Sequence, residues 1–347
     1  MKTAAFVEPG VMELRDAPEP EPGPGQVVVA VSHCGICGSD LHEYAAAGPS
    51  MRAAGVFQPV MGHEFTGFVS ALGEGVEGLR EGDTVVVHPG ATCGKCWHCT
   101  HGAANVCAQQ LGTGYMVPGA YAERCLVRAS ECLAIPGEEW MERAALTEPL
   151  AVALRAVNRG EMKPGETVFI AGGGPIGLLS LIAARRKGAG TIIISEPAES
   201  RRELALQLGA DHAIDTAQPA SLKVRELTGG MGADLSIEAV GIPPTMDDAL
   251  AATRRAGRIV IAGTFDLPYT IGLLNLIVQE QSIIATFGYV DEFAEARDLI
   301  CSGEVDISPL ISRTVALDDL PATFEDMTRS RDDYQKVLVR PQVRGRD

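Results

Sequence analysis

The sequence has no apolar run long enough to cross a membrane. The longest run, residues 176–184, is interrupted by Gly177 and Ser180, whereas a membrane-spanning helix needs about 20 mostly apolar residues. The first residues, MKTAAFVEPGVMELRD, have one early lysine, early acidic residues and no apolar centre, so they do not fit a secretory signal. We therefore expect a cytoplasmic protein with no membrane partner.

Positive charge is also scarce in this chain. There are 29 lysine and arginine residues against 45 aspartate and glutamate residues, which gives a net charge of -16, and no block of basic residues occurs. This balance argues against nucleic acid or an anionic membrane surface as a partner. Internal repeats and low-complexity tracts are absent as well, so a repeat architecture is not expected.

The length and composition fit two domains, because the chain has 347 residues of which 46% are apolar. Residues 1 to about 150 are rich in glycine, proline and short β-type runs such as QVVVAVSHCGICG, FTGFVSALGEG and DTVVVHPG. These runs predict strands joined by turns rather than helices. We therefore expect a β-rich domain in the first part of the chain.

From Thr167 onward, predicted strands alternate with predicted helices. The strands are VFIAG, TIIIS, HAIDT, ADLSIEAV, RIVIAG and QSIIATFG, and the helices are PIGLLSLIAARRKG, ESRRELALQLGA, ASLKVRELTGG and PTMDDALAATRRAG. Such alternation is typical of βαβ units. It predicts an α/β domain of the Rossmann type, with a doubly wound parallel sheet of six strands.

The turn after the first of these strands matches the dinucleotide motif G-x-G-x-x-G at Gly172, Gly174 and Gly177. The first glycine permits a tight turn, the second lets the backbone approach a pyrophosphate, and the third lets helix and strand pack closely. Glu196 ends the next strand, where a carboxylate binds the adenosine ribose and repels the 2′-phosphate of NADP. NAD is therefore the predicted cofactor, with Arg201 and Arg202 leaving NADP open. The expected cofactor contacts are Gly172, Gly174, Pro175, Ile176, Gly177, Glu196 and Arg201.

Four of the nine cysteines lie close together in the stretch CGKCWHCTHGAANVC, at Cys93, Cys96, Cys99 and Cys107. Two residues between successive thiols let a turn point both sulfurs at one centre, and four thiolates form a closed tetrahedral zinc site. Free or disulfide-bonded cysteines are the alternative, but nothing suggests an oxidising compartment. We expect a structural zinc in this lobe.

An open metal site is spread through the sequence. Cys37 lies in HCGICGSDLH, His63 and Glu64 lie in MGHEF, and Glu148 lies in LTEPL. A catalytic zinc needs three protein ligands and one exchangeable position. Each residue alone has an ordinary structural explanation, and the case depends on the whole set beside a nucleotide-binding fold.

These motifs in this order resemble the zinc-dependent medium-chain alcohol and polyol dehydrogenases, over essentially the whole chain. The resemblance implies a GroES-like catalytic domain formed by residues 1–150 and 290–347, with the zinc lobe at 93–107, and a Rossmann domain at 151–289. It also implies a homodimer or homotetramer built through the nucleotide domains, and two zinc ions per chain.

The same resemblance assigns the site residues. Cys37, His63 and Glu148 are the implied ligands of the catalytic zinc, with Glu64 beside it as a further or exchanging ligand. Ser39 and His42 match the proton-relay positions, in which the serine passes the proton of the substrate hydroxyl, through the cofactor ribose, to the histidine. Zinc would act on that hydroxyl as a Lewis acid while its carbon gives a hydride to the nicotinamide.

The chain departs from the liver-type alcohol dehydrogenases, which have a cysteine where this chain has Glu148. Glutamate at that place occurs in the sorbitol and butanediol branches, and CGSDLHEY with SEPAESRR is most similar to 2,3-butanediol dehydrogenases. We therefore expect a secondary alcohol or vicinal diol as substrate. Sorbitol or another polyol, threonine and a simple secondary alcohol are the alternatives, and a zinc-stapled nucleotide-binding protein is the alternative without catalysis. Candidates for the pocket lining are Tyr44, Phe57 and Tyr115.

Overall fold

A computed structural model describes residues 1–45, 59–265, 268–330 and 334–341. The chain divides into two compact units. The first is formed by Met1–Glu148 together with Phe293–Asp347, and the second by Pro149–Glu292. The candidate pocket residue Phe57 lies outside the described residues.

The strands of the described residues are β1 (Lys2–Glu8), β2 (Val11–Asp16), β3 (Gln26–Gly35), β4 (Glu64–Leu72), β5 (Thr84–Val87), β6 (Gly90–Ala91), β7 (Leu111–Gly112), β8 (Arg124–Arg128), β9 (Cys132–Ala134), β10 (Thr167–Ala171), β11 (Thr191–Ser195), β12 (His212–Ile214), β13 (Ala233–Glu238), β14 (Thr253–Ile261), β15 (Ser282–Ala285), β16 (Ile311–Ala316) and β17 (Lys336–Arg340).

The α-helices are α1 (Gly38–Ala45), α2 (Trp97–Thr100), α3 (Met141–Ala144), α4 (Thr147–Arg159), α5 (Pro175–Arg186), α6 (Glu199–Gln207), α7 (Ala220–Leu227), α8 (Pro243–Ala252), α9 (Leu273–Gln279), α10 (Glu292–Cys301) and α11 (Leu320–Arg329). Within the described part of the chain, none of these helices has the length and apolar character needed to span a membrane.

The second unit contains a six-stranded sheet in the order β12-β11-β10-β13-β14-β15, and each neighbouring pair is parallel. This is the doubly wound order in which the chain reverses direction beside the first strand. The central strands are apolar on both faces, as in β11, where Ile192, Ile193 and Ile194 are fully buried, because helices cover both sides of such a sheet. The expected six-stranded Rossmann sheet is confirmed.

Two details of this unit differ from the expectation. The helix predicted over PTMDDALAATRRAG ends at Ala252, and the following TRRAG belongs to β14. Alanine and arginine favour helices, but pairing of Thr253 with Ala233 in the sheet overrides that local preference. Helix α9 was not expected at all.

The first unit is built on a seven-stranded sheet. Six strands follow the order β16-β17-β3-β4-β5-β9, and β8 also pairs with β3. Its core includes the fully buried side chains of Phe65, Tyr121 and Phe324. The β-rich character of this part is as expected.

Helix α1 follows β3 directly, where only strands and turns were expected. The Asp40 carboxylate accepts a hydrogen bond of 3.0 Å from the backbone N–H of Cys37, and the carbonyl of Cys37 accepts bonds from the N–H groups of Asp40 and Leu41. Aspartate is among the residues whose side chains favour such local bonds at a helix start. The two glycines of CGICGSD disfavour a helix, so the sequence pattern did not predict one here.

Candidate metal centres and nucleotide-binding loop

The sheet of the first unit brings Cys37 beside His63 and Glu64. In the antiparallel pair of β3 and β4, Gly35 lies opposite Glu64. Cys37 comes just after the end of β3, and His63 just before the start of β4. The pairing therefore places three residues from two distant motifs at one end of the sheet.

These three residues form a mixed-donor cluster, defined here by Cys37, His63 and Glu64. One ligand atom from each, a sulfur, a ring nitrogen and a carboxylate oxygen, lies within 4.8 Å of the others. His63 and Glu64 are buried, and Cys37 is half-buried. Three such donors around one zinc ion lie roughly 3–4 Å apart, given zinc–ligand bonds of about 2.0–2.3 Å, so the set fits zinc.

Asp40 contacts two members of this cluster, Cys37 and His63. One carboxylate oxygen accepts hydrogen bonds from the Cys37 N–H and from the Tyr121 hydroxyl, the latter at 2.7 Å. The other oxygen lies 3.6 Å from Nδ1 of His63, within ion-pair distance but slightly too far for a hydrogen bond. A carboxylate facing one histidine nitrogen orients the other toward a metal. Burial raises the pKa of Asp40, while His63 and Tyr121 oppose that shift.

Lys336, at the start of β17, neutralises Glu64. Its Nζ donates to both carboxylate oxygens, at 2.7 and 2.8 Å, and to the carbonyl of Ile36 at 3.1 Å. Both side chains are fully buried. Burial alone lowers the pKa of Lys336, but the charges of Glu64 and Cys37 outweigh it and raise that pKa overall. Gly35 leaves room for this pair, because a Cβ there would lie 2.1 Å from a Glu64 oxygen.

Two hydroxyl groups complete the site. The Tyr115 hydroxyl lies 2.8 Å from Nε2 of His63 and 3.0 Å from Oγ of Ser39. Burial raises the pKa of Tyr115 well above its usual value, and the negative charges of Cys37 and other acidic neighbours add to this effect. Ser39 therefore lies at the cluster, as its expected role requires.

The other candidates of this site are placed differently. Glu148 does not join the mixed-donor cluster at 4.8 Å, although its charge acts on both Cys37 and Tyr115. Its assignment as third zinc ligand stays a prediction, with Glu64 the alternative in closer reach. His42 is exposed on α1. Tyr44 belongs to the core instead of a pocket, since its ring packs edge-on against Phe324 at 5.3 Å.

The second metal centre is the cysteine lobe of residues 93–107. The sulfur–sulfur distances are 3.5 Å (Cys96–Cys99), 3.6 Å (Cys93–Cys107), 3.8 Å (Cys96–Cys107) and 3.9 Å (Cys93–Cys99). A disulfide needs about 2.05 Å, whereas four thiolates around one zinc ion are roughly 3.8 Å apart. The geometry therefore excludes disulfides among these four and fits a closed zinc site.

Backbone amides support this arrangement of sulfurs. The N–H of Cys96 donates to Cys93 at 3.3 Å, and that of Gln109 donates to Cys107 at 3.4 Å. Amides of Lys95 and Cys96 lower the pKa of Cys93 to about 6. The thiolate, which is the form that binds metal, is thereby favoured at this position.

The second unit carries the glycine loop between β10 and α5. Gly177 packs against the turn so closely that a Cβ would lie 1.9 Å from the carbonyl oxygen of Gly172. A Cβ on Gly174 would meet no atom within 4 Å, so space is open where the motif places a pyrophosphate. Pro175 and Ile176 form the first turn of α5, and its N-terminus favours an anion.

Glu196 lies against this loop. Its carboxylate accepts a 2.8 Å hydrogen bond from the N–H of Gly173 and a 3.0 Å bond from that of Ala198. Arg202 donates to the backbone carbonyl of Glu196 at 2.9 Å. Arg201, the arginine named from the sequence, is half-buried in the first turn of α6. A buried acid at the carboxyl end of β11 thus faces the phosphate-binding turn.

Sequence reasoning missed two residues of the site, Asp40 and Lys336, and left Tyr115 as an unplaced candidate. Asp40 had a signal, because it follows the cysteine in CGSD as a helix-capping residue does. Lys336 had none, since its partner is 272 positions away in the chain.

Two parts of the chain match known protein families. Residues 23–137 match the alcohol dehydrogenase GroES-like domain, and residues 175–302 match the zinc-binding dehydrogenase domain. Together these two matches include Cys37, the cysteine lobe and the part of the glycine loop from Pro175 onward.

Named relatives agree in class but differ in substrate. Sorbitol dehydrogenase of Bacillus subtilis is 32% identical over 98% of this chain and 97% of its own length. L-threonine 3-dehydrogenase of Pyrococcus horikoshii is 35% identical over 86% of this chain and 87% of its own.

Solved structures show the same likeness. The 2R,3R-butanediol dehydrogenase of Bacillus subtilis has a TM-score of 0.88 and 33% identity, covering 98% of this chain and 99% of that one. A zinc-binding dehydrogenase of Sinorhizobium meliloti bound to NADP has a TM-score of 0.89 and 31% identity, with the same coverage.

A Rossmann unit, a GroES-like unit and two clusters fit for zinc define a zinc-dependent oxidoreductase. The chain belongs to the zinc-binding dehydrogenase family, which is the family of the zinc-dependent medium-chain alcohol and polyol dehydrogenases. The expected fold and enzyme class are thereby confirmed, whereas the substrate is not decided by relatives that act on different compounds.

Proposed function

We propose that this enzyme oxidises a secondary hydroxyl of a small vicinal diol such as 2,3-butanediol with NAD, and reduces the corresponding α-hydroxyketone in reverse. The observation that carries this proposal is the mixed-donor cluster with the hydroxyls of Ser39 and Tyr115 beside it. A diol presents two oxygens, and this site offers a metal position and two hydrogen-bonding hydroxyls.

The metal role falls to Cys37, His63 and one of the two glutamates, Glu64 or Glu148. Zinc bound there would supply Lewis-acid chemistry at the substrate oxygen. Asp40 lies 3.6 Å from Nδ1 of His63, and Lys336 donates two hydrogen bonds to Glu64. The second metal centre, the four-cysteine lobe, is closed and serves stability.

The proton of the reacting hydroxyl is proposed to leave by way of Ser39, which lies beside the cluster. A bound cofactor ribose would connect Ser39 to His42, which is exposed on the next turn of α1 and borders water. This order of transfer is part of the proposal.

NAD is the proposed cofactor because Glu196 places a buried carboxylate against the glycine loop. A carboxylate at this place repels the 2′-phosphate of NADP. The Sinorhizobium relative was solved with NADP, so NADP is the competing cofactor.

Polyols and threonine are the competing substrates, since relatives named for sorbitol and threonine are as similar as the butanediol enzyme. The motif CGSDLHEY favours the diol. All three substrates carry a second polar group beside the reacting hydroxyl, which simple secondary alcohols lack.

A homodimer or homotetramer is proposed to form through the second unit. Strand β15 is at the edge of its sheet, and α9 exposes Leu273, Leu274 and Ile277, each by more than two thirds. An edge strand with an apolar neighbour is a surface that a second copy covers. Sedimentation of the purified enzyme measures this assembly.

The substrate test is a panel of 2,3-butanediol, sorbitol, threonine, 2-butanol and a primary alcohol, each with NAD⁺ and NADP⁺, followed by absorbance of the reduced cofactor. We expect kcat/KM for 2,3-butanediol with NAD⁺ to exceed that for 2-butanol at least about tenfold, because a site that binds a second hydroxyl discriminates against its absence. Equal turnover of 2-butanol would contradict the diol assignment and leave the dehydrogenase class intact.

A further inference from the structure

The Tyr115 hydroxyl is placed at the reacting end of the site by two independent contacts. It lies 3.0 Å from Oγ of Ser39 and 2.8 Å from Nε2 of His63. Its ring lies over the His63 ring, with centroids 4.5 Å apart and planes tilted by 33°. Because Nε2 is the nitrogen that a metal would take, the contacts that hold the phenol beside an occupied metal position are the Ser39 hydroxyl and the stacked His63 ring.

The loop that carries Tyr115 is packed on the turn that carries His63. Within the loop, the carbonyl of Gly112 accepts backbone bonds from Tyr115 and Met116. The loop and the turn approach so closely that a Cβ on Gly114 would lie 2.6 Å from the carbonyl oxygen of Gly62. Tyr115 thus has a fixed position relative to the mixed-donor cluster.

Other polar groups of the cluster are already committed. Glu64 accepts two bonds from Lys336, and one oxygen of Asp40 accepts bonds from Cys37 and Tyr121. Ser39 is assigned to the reacting oxygen under the proposed function. Tyr115 is then the neutral donor beside Ser39 that faces the same place.

We propose that the Tyr115 hydroxyl binds the second oxygen of the substrate, the one on the carbon next to the reacting carbon, and so sets the preference for a diol over a simple alcohol. This inference rests on the proposed function. The two oxygens of a vicinal diol in its bent form are roughly one hydrogen-bond length apart, which matches two hydroxyls 3.0 Å apart. The Ser39–Tyr115 pair can therefore hold both oxygens at once.

The expected size of the effect follows from hydrogen-bond energetics. Removing the phenol hydroxyl leaves the second substrate hydroxyl without a partner in a half-buried site, which costs about 10- to 100-fold in kcat/KM. A substrate without that hydroxyl loses nothing of this kind. The signature is thus a change in the ratio between diol and simple alcohol.

The first test compares wild type, Tyr115→Phe and the control Tyr44→Phe. Tyr44 is a buried tyrosine of the same unit whose hydroxyl donates to the carbonyl of Gly10 at 2.7 Å. We expect Tyr115→Phe to lower kcat/KM for 2,3-butanediol by about 10- to 100-fold and that for 2-butanol by less than about threefold. Tyr44→Phe is expected to leave the ratio unchanged. Equal losses for both substrates would show a positioning role for Tyr115 and overturn the proposal.

The second test measures binding without turnover. Pinacol is a vicinal diol whose two carbinol carbons carry no hydrogen, so it cannot give a hydride, and 2,3-dimethyl-2-butanol is its matched simple alcohol. Each alcohol is titrated calorimetrically into the zinc-containing enzyme with NAD⁺ present. We expect wild type to bind pinacol more tightly than 2,3-dimethyl-2-butanol, and Tyr115→Phe to lose that preference. A preference retained by the variant overturns the role of Tyr115 but leaves the proposed function standing. If wild type shows no preference for the diol in either assay, both the role of Tyr115 and the proposed diol function are overturned.

Discussion

The two candidate metal centres lie in the same unit but are built in opposite ways. The cysteine lobe takes four like ligands from fifteen consecutive residues, 93–107, and three of its four sulfur residues are half-exposed. The mixed-donor cluster takes three unlike ligands from separate segments, and it is surrounded by buried charges, Asp40 and Lys336. A local, uniform site needs only a short turn, whereas the mixed site needs the whole sheet in register.

This difference gives the two centres different roles, with the cysteine lobe suited to stability and the mixed-donor cluster suited to chemistry. Four thiolates satisfy zinc completely and leave no position for a substrate, while three protein donors leave one. The amides that point at Cys93 and Cys107 favour bound thiolates. At the mixed cluster, the neighbours are instead hydroxyls, Ser39 and Tyr115, which are groups that a substrate oxygen can contact.

The sharpest test of this contrast is Cys37→Ser. We expect turnover to fall by about a thousandfold or more, because a Lewis-acid contribution of several kcal/mol is lost. Thermal stability should change little, since the cysteine lobe and both cores are intact. Steady-state rates, zinc content and a melting curve measure this.

Cys301→Ser serves as the matched control for Cys37→Ser. Cys301 is a half-buried free thiol at the end of α10, outside both clusters, and its replacement should leave rates and zinc content unchanged. Full activity in Cys37→Ser would show that the mixed-donor cluster is not the catalytic centre.

Lys336→Met tests the buried charge that the cysteine lobe lacks. The variant leaves Glu64 buried without its counter-charge, and we expect it to lower the free energy of unfolding by about 3–5 kcal/mol. Urea denaturation followed by fluorescence measures the loss. Adding Glu64→Gln to the same protein should restore most of it, because the double variant has no unpaired charge. An undiminished stability of the single variant would argue that Glu64 has another counter-charge.

Cys96→Ser is the mildest of the three changes. Loss of the lobe's metal should lower the melting temperature by roughly 5 °C, because only a surface segment is released. The rate at 25 °C should stay within about twofold, and zinc content should fall by one ion per chain. A loss of activity as large as that of Cys37→Ser would remove the distinction between the two centres.

What the sequence could predict follows the same division between local and distant. The cysteine lobe and the glycine loop are contiguous motifs, so their spacing alone indicates their geometry. The alternating strands and helices also predict a parallel sheet of six strands, whereas the order of those strands comes from the structure.

Residues whose roles depend on distant partners were beyond such reasoning. Lys336 lies in an ordinary strand pattern, and only the pairing of β17 with β3 shows that it reaches Glu64. The start of β14 has a helical pattern that sheet pairing overrides. The choice between Glu64 and Glu148 as the third ligand depends on positions to within an ångström, which sequence spacing does not provide.

The Glu64–Lys336 ion pair also bears on the time course of synthesis. A growing chain exposes Cys37, His63 and Glu64 early, but β17 lies inside the sheet between β16 and β3, and it is made only after the whole Rossmann unit. Domains fold as units in order of synthesis. We therefore expect the second unit, which is contiguous in the chain, to be able to fold before the first, and Glu64 to lack its Lys336 counter-charge until β17 has been made.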